Sequence, residues 1–425
     1  MHSAVIRYRR LSTASTLTAA VLALVASNAS AAGLTVRELI DIALENNRDL
    51  QAVRYVAQQA RARLVQAGLS PNPRLELTTA NDRPFANNGE YSTGVGVSQQ
   101  FSIAGRIARQ KDVARVDVDL AQLEIKEAER KLAGEVMAAR FGILGLDRQI
   151  ELRDRLTVID QKLVDVTHQR FRAAEVSELD SNAAELDLQR QRQERSLLQS
   201  DRATRYAQLN QLLGRGATEA LNLDGTAPSL DIPDLRTQEL TAIEHRSDLR
   251  QATLNAGRAR AEQALGRAER WEDWSVKLGV DQSRLVLDNG PAQSANRSIG
   301  FNVSIPLPLF NRNQGRIAEA VAAEARADAQ VTAVELSIRN EVASVYSEVE
   351  RLRQVLATYE QHTLPVSERN VALAQKSYAQ GLATIVEVVQ AQRQQGDLNV
   401  GYLNAFDQYL QARARLYTAT AAYPE

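Results

Sequence analysis

The chain has 425 residues, of which 51 are basic and 52 acidic, and it contains no cysteine. The near-balance of charge gives no electrostatic footprint for a nucleic-acid partner. The missing cysteine excludes a disulfide framework, a thiolate metal site and an acylated N-terminal cysteine.

In chain order, residues 1–31 read as a secretory signal. Arg7, Arg9 and Arg10 form a basic start, Leu17 to Ala26 a short apolar core, and Ala29-Ser30-Ala31 a cleavage site. The alternative, a membrane anchor, needs a longer apolar run than this to cross ~30 Å of hydrocarbon. Without the signal, 48 basic and 52 acidic residues remain, a net of −4. No later stretch approaches the length of an apolar transmembrane helix, which leaves a soluble periplasmic protein and a β-barrel membrane protein both open.

Thr35 and Glu38 have the spacing of a capping box for a first helix, and a second helix runs from about Asp49 to Gly68. Pro71-Asn72-Pro73 ends helical structure, because proline lacks a donor and restricts its predecessor. Segments 74–80 and 93–101 alternate apolar and polar residues and are read as strands. Asn81 to Glu90 between them is turn chemistry.

From Ile103 the period becomes helical for about 68 residues, which spans ~100 Å at 1.5 Å per residue. Val136, Ala139, Ile143, Leu146 and Ile150, then Leu156, Ile159, Leu163 and Val166, recur as the seam of an antiparallel coiled coil. The helix ends near Arg170. A return helix, Ser177 to Leu213, and the earlier helix ending at Gly68 are expected to flank it end to end. Gly214 to Asp234 is an irregular connector.

The pattern then repeats. Strands are read at 274–282 and 298–305, with Asp288-Asn289-Gly290-Pro291 in the loop between them. A long helix from about Gln314 to Tyr378 follows, which Pro365 should kink, and a last helix runs from Thr384 to about Thr420. Shifting by 207 residues places Phe171 on Tyr378, Ala174 on Gly381, Ser177 on Thr384 and Asp180 on Glu387. Both copies restart a helix with a capping box, Ser177-x-x-Asp180 and Thr384-x-x-Glu387. The chain therefore reads as a tandem duplication. Its parts are the signal, a first repeat at 32–213, a connector at 214–234 and a second repeat at 235–425, with hairpin tips at about 173–177 and 380–384.

Strands of eight or nine residues, apolar on one face and polar on the other, match the length and alternation of membrane-spanning β-strands. Four strands cannot close into a barrel, and lipid tolerates no open edge, so several copies must contribute. Long helices beneath a polar-lined barrel describe a water-filled tube. The bland alternative is a soluble periplasmic coiled-coil structural protein with two ordinary hairpins. No nucleophile–base set, phosphate loop or metal-hydrolase motif is present, so no enzyme and no cofactor is expected. His168, His245 and His362 are too widely spaced to form a metal site.

The block YAQGLATIVEVVQAQ, Tyr378 to Gln392, and the segment SIPLPLFNRNQGRIAEA, Ser304 to Ala320, resemble the TolC family of outer-membrane efflux proteins. The PLPLFNRNQG stretch is most similar to its CzcC-like branch, the outer-membrane components of cobalt-zinc-cadmium efflux systems. The resemblance implies a mixed α/β membrane protein, internally duplicated. It implies a homotrimer with a 12-stranded outer-membrane β-barrel, four strands per chain, continued by a long antiparallel coiled-coil tunnel across the periplasm. The implied partners are outer-membrane lipid, a periplasmic membrane-fusion adaptor and an inner-membrane pump of the resistance-nodulation-division (RND) type. The implied cargo is a divalent heavy-metal cation, with a multidrug or protein-secretion duct as the alternative within the family.

By the same resemblance the adaptor docks on the hairpin tips, Ala174, Glu175, Val176 and Ser177 in one repeat and Gly381, Leu382, Ala383 and Thr384 in the other. The periplasmic aperture falls on Glu387, Gln390 and Asp180. Three Glu387 carboxylates in a ring would repel one another and favour cations; helix capping is the favoured reading of Glu387 and Asp180, and the two roles are compatible. A family arginine that latches the closed aperture falls on Ala383, so any latch here is built from other residues.

Overall fold

The computed structural model describes residues 33–82, 89–286, 294–380 and 382–423. The expected signal at 1–31, most of the turn at 81–90, the Asp288–Pro291 loop and Gly381 lie outside the described residues.

Two short helices open the described chain, α1 (Val36–Asn46) and α2 (Arg48–Ala67). The Thr35 hydroxyl and the Glu38 carboxylate cap α1 reciprocally. Strands β1 (Arg74–Asn81) and β2 (Tyr91–Phe101) follow, then α3 (Arg106–Arg172), whose 67 residues extend ~100 Å. Helix α3 starts behind Gly105, which is in the left-handed region at φ 69° and supplies no side-chain cap. The return helix α4 (Glu178–Leu212) starts at the Ser177 cap.

The second half has α5 (Leu235–His245), α6 (Ser247–Ala268), β3 (Trp274–Arg284) and β4 (Asn296–Ser304). Helix α7 (Gln314–Thr358) leads through a five-residue π turn, Tyr359–Thr363, into α8 (Leu364–Ala379), and α9 (Ile385–Thr420) closes the chain. The break expected at Pro365 takes the form of that π turn. Proline cannot donate to the carbonyl one turn back, and the Leu364 N–H reaches the Tyr359 carbonyl five residues behind.

Helix α3 is the spine, packed by α4 on one side and α9 on another, with α1, α2 and α6 alongside. The main core sits at its middle, where Val136, Met137, Phe141 and Ile143 meet Leu39, Leu209, Tyr409 and Leu410. Toward the tip the buried positions of α3 become Leu152, Val164 and Thr167, whereas Ile159 and Val166 are exposed. Ile159 instead lines a groove facing α9, so the seam there serves a second helical neighbour as well as α4.

The short helices do stack end to end on the return helices. At the α1–α2 joint the Asn47 amide donates to the Leu212 carbonyl at 2.9 Å. At the α5–α6 joint Arg246 donates to the Ala419 carbonyl at 3.2 Å. Ion pairs staple α3 to α4, among them Arg153–Glu194 at 2.7 Å and the pairs Arg195–Asp154 and Arg202–Asp147.

The four strands form one antiparallel sheet in the order β1-β2-β3-β4. Its register sets Leu75, Val97, Leu278 and Phe301 in one row and Leu77, Val95, Val280 and Ile299 in the next. Those rows are bare of protein, with Ile299 79% and Phe301 70% exposed. The other face is polar: on β2, Gly94, Gly96 and Ser98 are buried, and Lys277 crosses β2 to pair with Glu76 on β1 at 2.6 Å. Gly96, Gly279 and Gly300 share a row there. A Cβ at Gly96 would press on the Lys277 stem at 3.2 Å, so the glycine leaves room for that crossing.

Candidate functional site

The two helix-to-helix tips are built alike. In the first, the Glu175 N–H donates to the Arg170 carbonyl at 2.9 Å; in the second, the Leu382 N–H donates to the Ser377 carbonyl at 2.8 Å. Both bonds close the end of a helix by reaching back across the last turn. Ala174 stands in the left-handed region at φ 58°, a conformation that costs a residue with a Cβ ~1–2 kcal/mol. The Ser177 hydroxyl donates to Asp180 Oδ2 at 2.7 Å and accepts from the Asp180 N–H at 3.2 Å. At the second tip, the Thr384 N–H donates to Glu387 Oε2 at 2.6 Å, and the Thr384 hydroxyl accepts from the Glu387 N–H at 3.3 Å.

Every expected tip residue that is described lies at the surface. Ala174, Glu175, Ser177, Leu382 and Thr384 are exposed, and Val176 and Ala383 are half-buried. Leu382 and Leu179 are bare apolar side chains, 79% and 78% exposed. The tips meet each other through Arg170, whose guanidinium lies 4.7 Å from the centre of the Tyr378 ring.

Between α4 and α9, just behind the tips, runs a groove of about 350 Å³ lined by Asp180, Gln390, Asp187, Arg393 and the apolar Leu179 and Val386. It brings Asp180 and Gln390 together. Glu387 does not line it; its carboxylate is turned to its own cap.

Arg393 Nε donates to Asp187 Oδ2 at 2.9 Å, tying α9 to α4. Asp160 on α3 stands close by, in the adjoining groove. Burial, and next the charge of Asp187, push its carboxyl above the usual aspartate range, with Arg393 acting in the opposite direction. Among the described residues no group of three or more His, Cys, Asp or Glu could hold a metal ion, and no helix is long and apolar enough to cross a membrane.

The apolar sheet face, the polar face opposite and the helical hairpins form one layout, and a family model described as outer membrane efflux protein matches the chain at residues 39–215 and 241–422. The chain belongs to the outer membrane efflux protein family. The cobalt-zinc-cadmium resistance protein CzcC of Cupriavidus metallidurans is 22% identical to it over 393 residues, 90% of this chain and 89% of that one. Outer membrane protein OprJ of Pseudomonas aeruginosa is 26% identical over 390 residues, 84% and 78% of the two chains. A solved structure of CusC superposes with a TM-score of 0.73 at 20% identity over 91% of each chain. The outer-membrane channel OprN does so with 0.71 at 18%, over 91% and 90%.

As a member of the outer membrane efflux protein family, the molecule is a channel of the outer membrane that extends into the periplasm, and the family is not an enzymatic one. The soluble coiled-coil reading is thereby set aside. Three residues of the tip region escaped the sequence reading: Arg170, Asp187 and Arg393. One signal for the last two was present, because Asp187 and Arg393 lie at nearly equal distances from the Ser177 and Thr384 caps and carry opposite charges.

Proposed function

We propose that three copies of this chain close a 12-stranded barrel in the outer membrane, and that their helices form one continuous tunnel across the periplasm. The observation that carries this is the sheet: its apolar face is bare, and β1 and β4 are its outermost strands, each with a strand neighbour on one side among the described residues. A free edge in hydrocarbon leaves backbone donors and acceptors without partners, at several kcal/mol each, and pairing β4 with β1 of the next copy removes both edges. The helices offer a matching seam. Bare Leu179, Leu186 and Leu197 follow one stripe of α4, and bare Val355, Val366 and Leu373 run down α7 and α8 on the opposite flank. The two repeats, 32–213 and 235–425 about the connector 214–234, are supported by the two separate family matches and by the shared bonding of both tips.

In this reading the tips, Ala174 to Ser177 and 381–384, receive a periplasmic membrane-fusion adaptor that couples the tunnel to an inner-membrane RND pump. Asp180, Glu387 and Gln390 border the entrance, and the Asp187–Arg393 pair replaces the arginine latch that Ala383 cannot supply. The cargo is a divalent heavy-metal cation; the likeness to CzcC, a cobalt-zinc-cadmium resistance protein, supports this, as does the acid at Glu387. The channel is a conduit, and the pump makes the choice of substrate.

Mature protein extracted from outer membranes should run as a heat-labile trimer in detergent. Deleting the gene should sensitise cells to cobalt, zinc or cadmium and leave drug tolerance unchanged. A monomer that needs no amphiphile would overturn the barrel, and drug sensitivity without metal sensitivity would overturn the cargo.

A further inference from the structure

The outward apolar row of β4 does not stop where the strand stops. Ile299, Phe301 and Val303 occupy alternate positions of β4, and Ile305, Leu307 and Leu309 continue the alternation past its last residue, Ser304. Pro306 and Pro308 fill the intervening positions and have no N–H to offer a neighbouring strand, so the row persists while the ladder ends. From Ile299 to Leu309 it extends at most roughly 33 Å along the chain at ~3.3 Å per residue, which at a barrel strand's tilt of ~35–45° is a height of about 25 Å, the height of the apolar band in outer-membrane barrels. The lower end of the row, at Leu307 and Leu309, therefore falls at the periplasmic edge of the hydrocarbon.

Ile305 stands one step beyond the Ser275–Ser304 pair, level with Trp274 and Phe101. Leu307, Leu309 and Phe310 lie below that level. They are 68%, 62% and 92% exposed, yet their loop is tied down. The Leu309 N–H donates to the Leu307 carbonyl at 2.8 Å, the Asn313 N–H to Asn311 Oδ1 at 3.0 Å, and the Asn313 side-chain amide to the Gly266 carbonyl at 2.8 Å.

Beside the loop, Trp271 is exposed with the Arg270 guanidinium 5.8 Å from its ring. Arg267 and Arg312 are exposed as well, and among the described residues these three arginines make no ion pair, whereas Arg316 of the same rim is paired with Glu269 at 2.8 Å. Glu272 is the exposed acid among them.

We propose that the loop 305–313 is an interfacial anchor in the periplasmic leaflet of the outer membrane. Leu307, Leu309 and Phe310 lodge among acyl chains at the headgroup boundary, and Arg267, Arg270 and Arg312 meet glycerophospholipid phosphates. Aromatic side chains favour that depth, arginine stems reach from apolar surface to a charged layer, and three free cations against one acid suit a phosphate plane. The anchor rests on the reading that the apolar sheet face meets lipid, and it fixes how deep the barrel sits.

The chain has only two tryptophans, Trp271 and Trp274, both at this rim. In the mature chain reconstituted in phosphatidylcholine–phosphatidylglycerol vesicles, lipids brominated near the headgroup should quench this native emission at least twofold more than lipids brominated near the chain ends. In a Trp271→Phe, Trp274→Phe background, Phe310→Trp should show the same preference for shallow bromine, and Phe301→Trp the opposite one. If Phe301→Trp is quenched and Phe310→Trp is not, the anchor is overturned: iodide quenching then assigns Phe310 to water, and blue-shifted emission inaccessible to iodide assigns it to a second copy. If Phe301→Trp is itself unquenched by either lipid, the membrane-embedded sheet is what fails.

Discussion

Replacing Arg393 with Met should open the tunnel entrance. The substitution keeps the packing of the long stem and removes the charge that binds α9 to α4 at 2.9 Å. The Arg393 side chain is 56% exposed and that of Asp187 24%, so water screens the pair, and its loss costs about 0.2–1 kcal/mol. Asp187 and the half-buried Asp160 then face each other with less cationic compensation, which places the total near the upper end. About 1 kcal/mol changes the ratio of closed to open entrance about fivefold. In planar bilayers the Arg393→Met channel should show a correspondingly higher open probability. The exchanged pair, Asp187→Arg with Arg393→Asp, should return part of the closed state, since the interaction is reciprocal while each single charge effect is not. An Arg393→Met channel that gates like the parent, or an exchanged pair as open as the single variant, would refute the assignment of this contact as the latch.

Three further outcomes follow from the same geometry. Glu387→Gln keeps a side chain able to cap but removes the charge, so cation preference should fall in bilayer reversal-potential measurements, whereas Thr384→Ala should cost about 1 kcal/mol of capping and leave the preference intact. Ala174→Gly relieves the left-handed strain at φ 58° and should strengthen the first tip by roughly 1 kcal/mol, read as slower amide exchange at Glu175. Asp160 holds its proton more tightly folded than unfolded. Its contribution is therefore most favourable at low pH and is lost as pH rises from the ordinary aspartate value through the raised one. Asp160→Asn should flatten that part of the pH profile of amide exchange in the lower half of α3.

The two-faced strands and the capping boxes were legible in the residues because their signals are local. A hydroxyl and a carboxylate three residues apart cap a helix whatever lies around them, and Thr35, Ser177 and Thr384 all do so. The coiled-coil seam was legible only in its middle. Val136 and Ile143 are buried where α4 and α9 both press on α3, but Ile159 and Val166 are exposed near the tip. Periodicity reports that a stripe is apolar and does not say which neighbour covers it. Pro365 announced an interruption, while its form as a π turn depends on how α7 and α8 stay continuous against α9.

By itself the sequence determined two strand pairs and two long helical hairpins, with one strand face apolar and the other polar. These follow from periods of 2 and 3.6 residues and from contacts three or four residues apart, all of which the chain carries locally. Tertiary structure alone decided that β2 pairs with β3 to join the two strand pairs in one sheet, that Asp187 meets Arg393, and that Arg170 lies on the Tyr378 ring. Those partners are 173 to 208 residues apart in sequence, and their meeting depends on which helix packs beside which, a choice set by the shared core around α3.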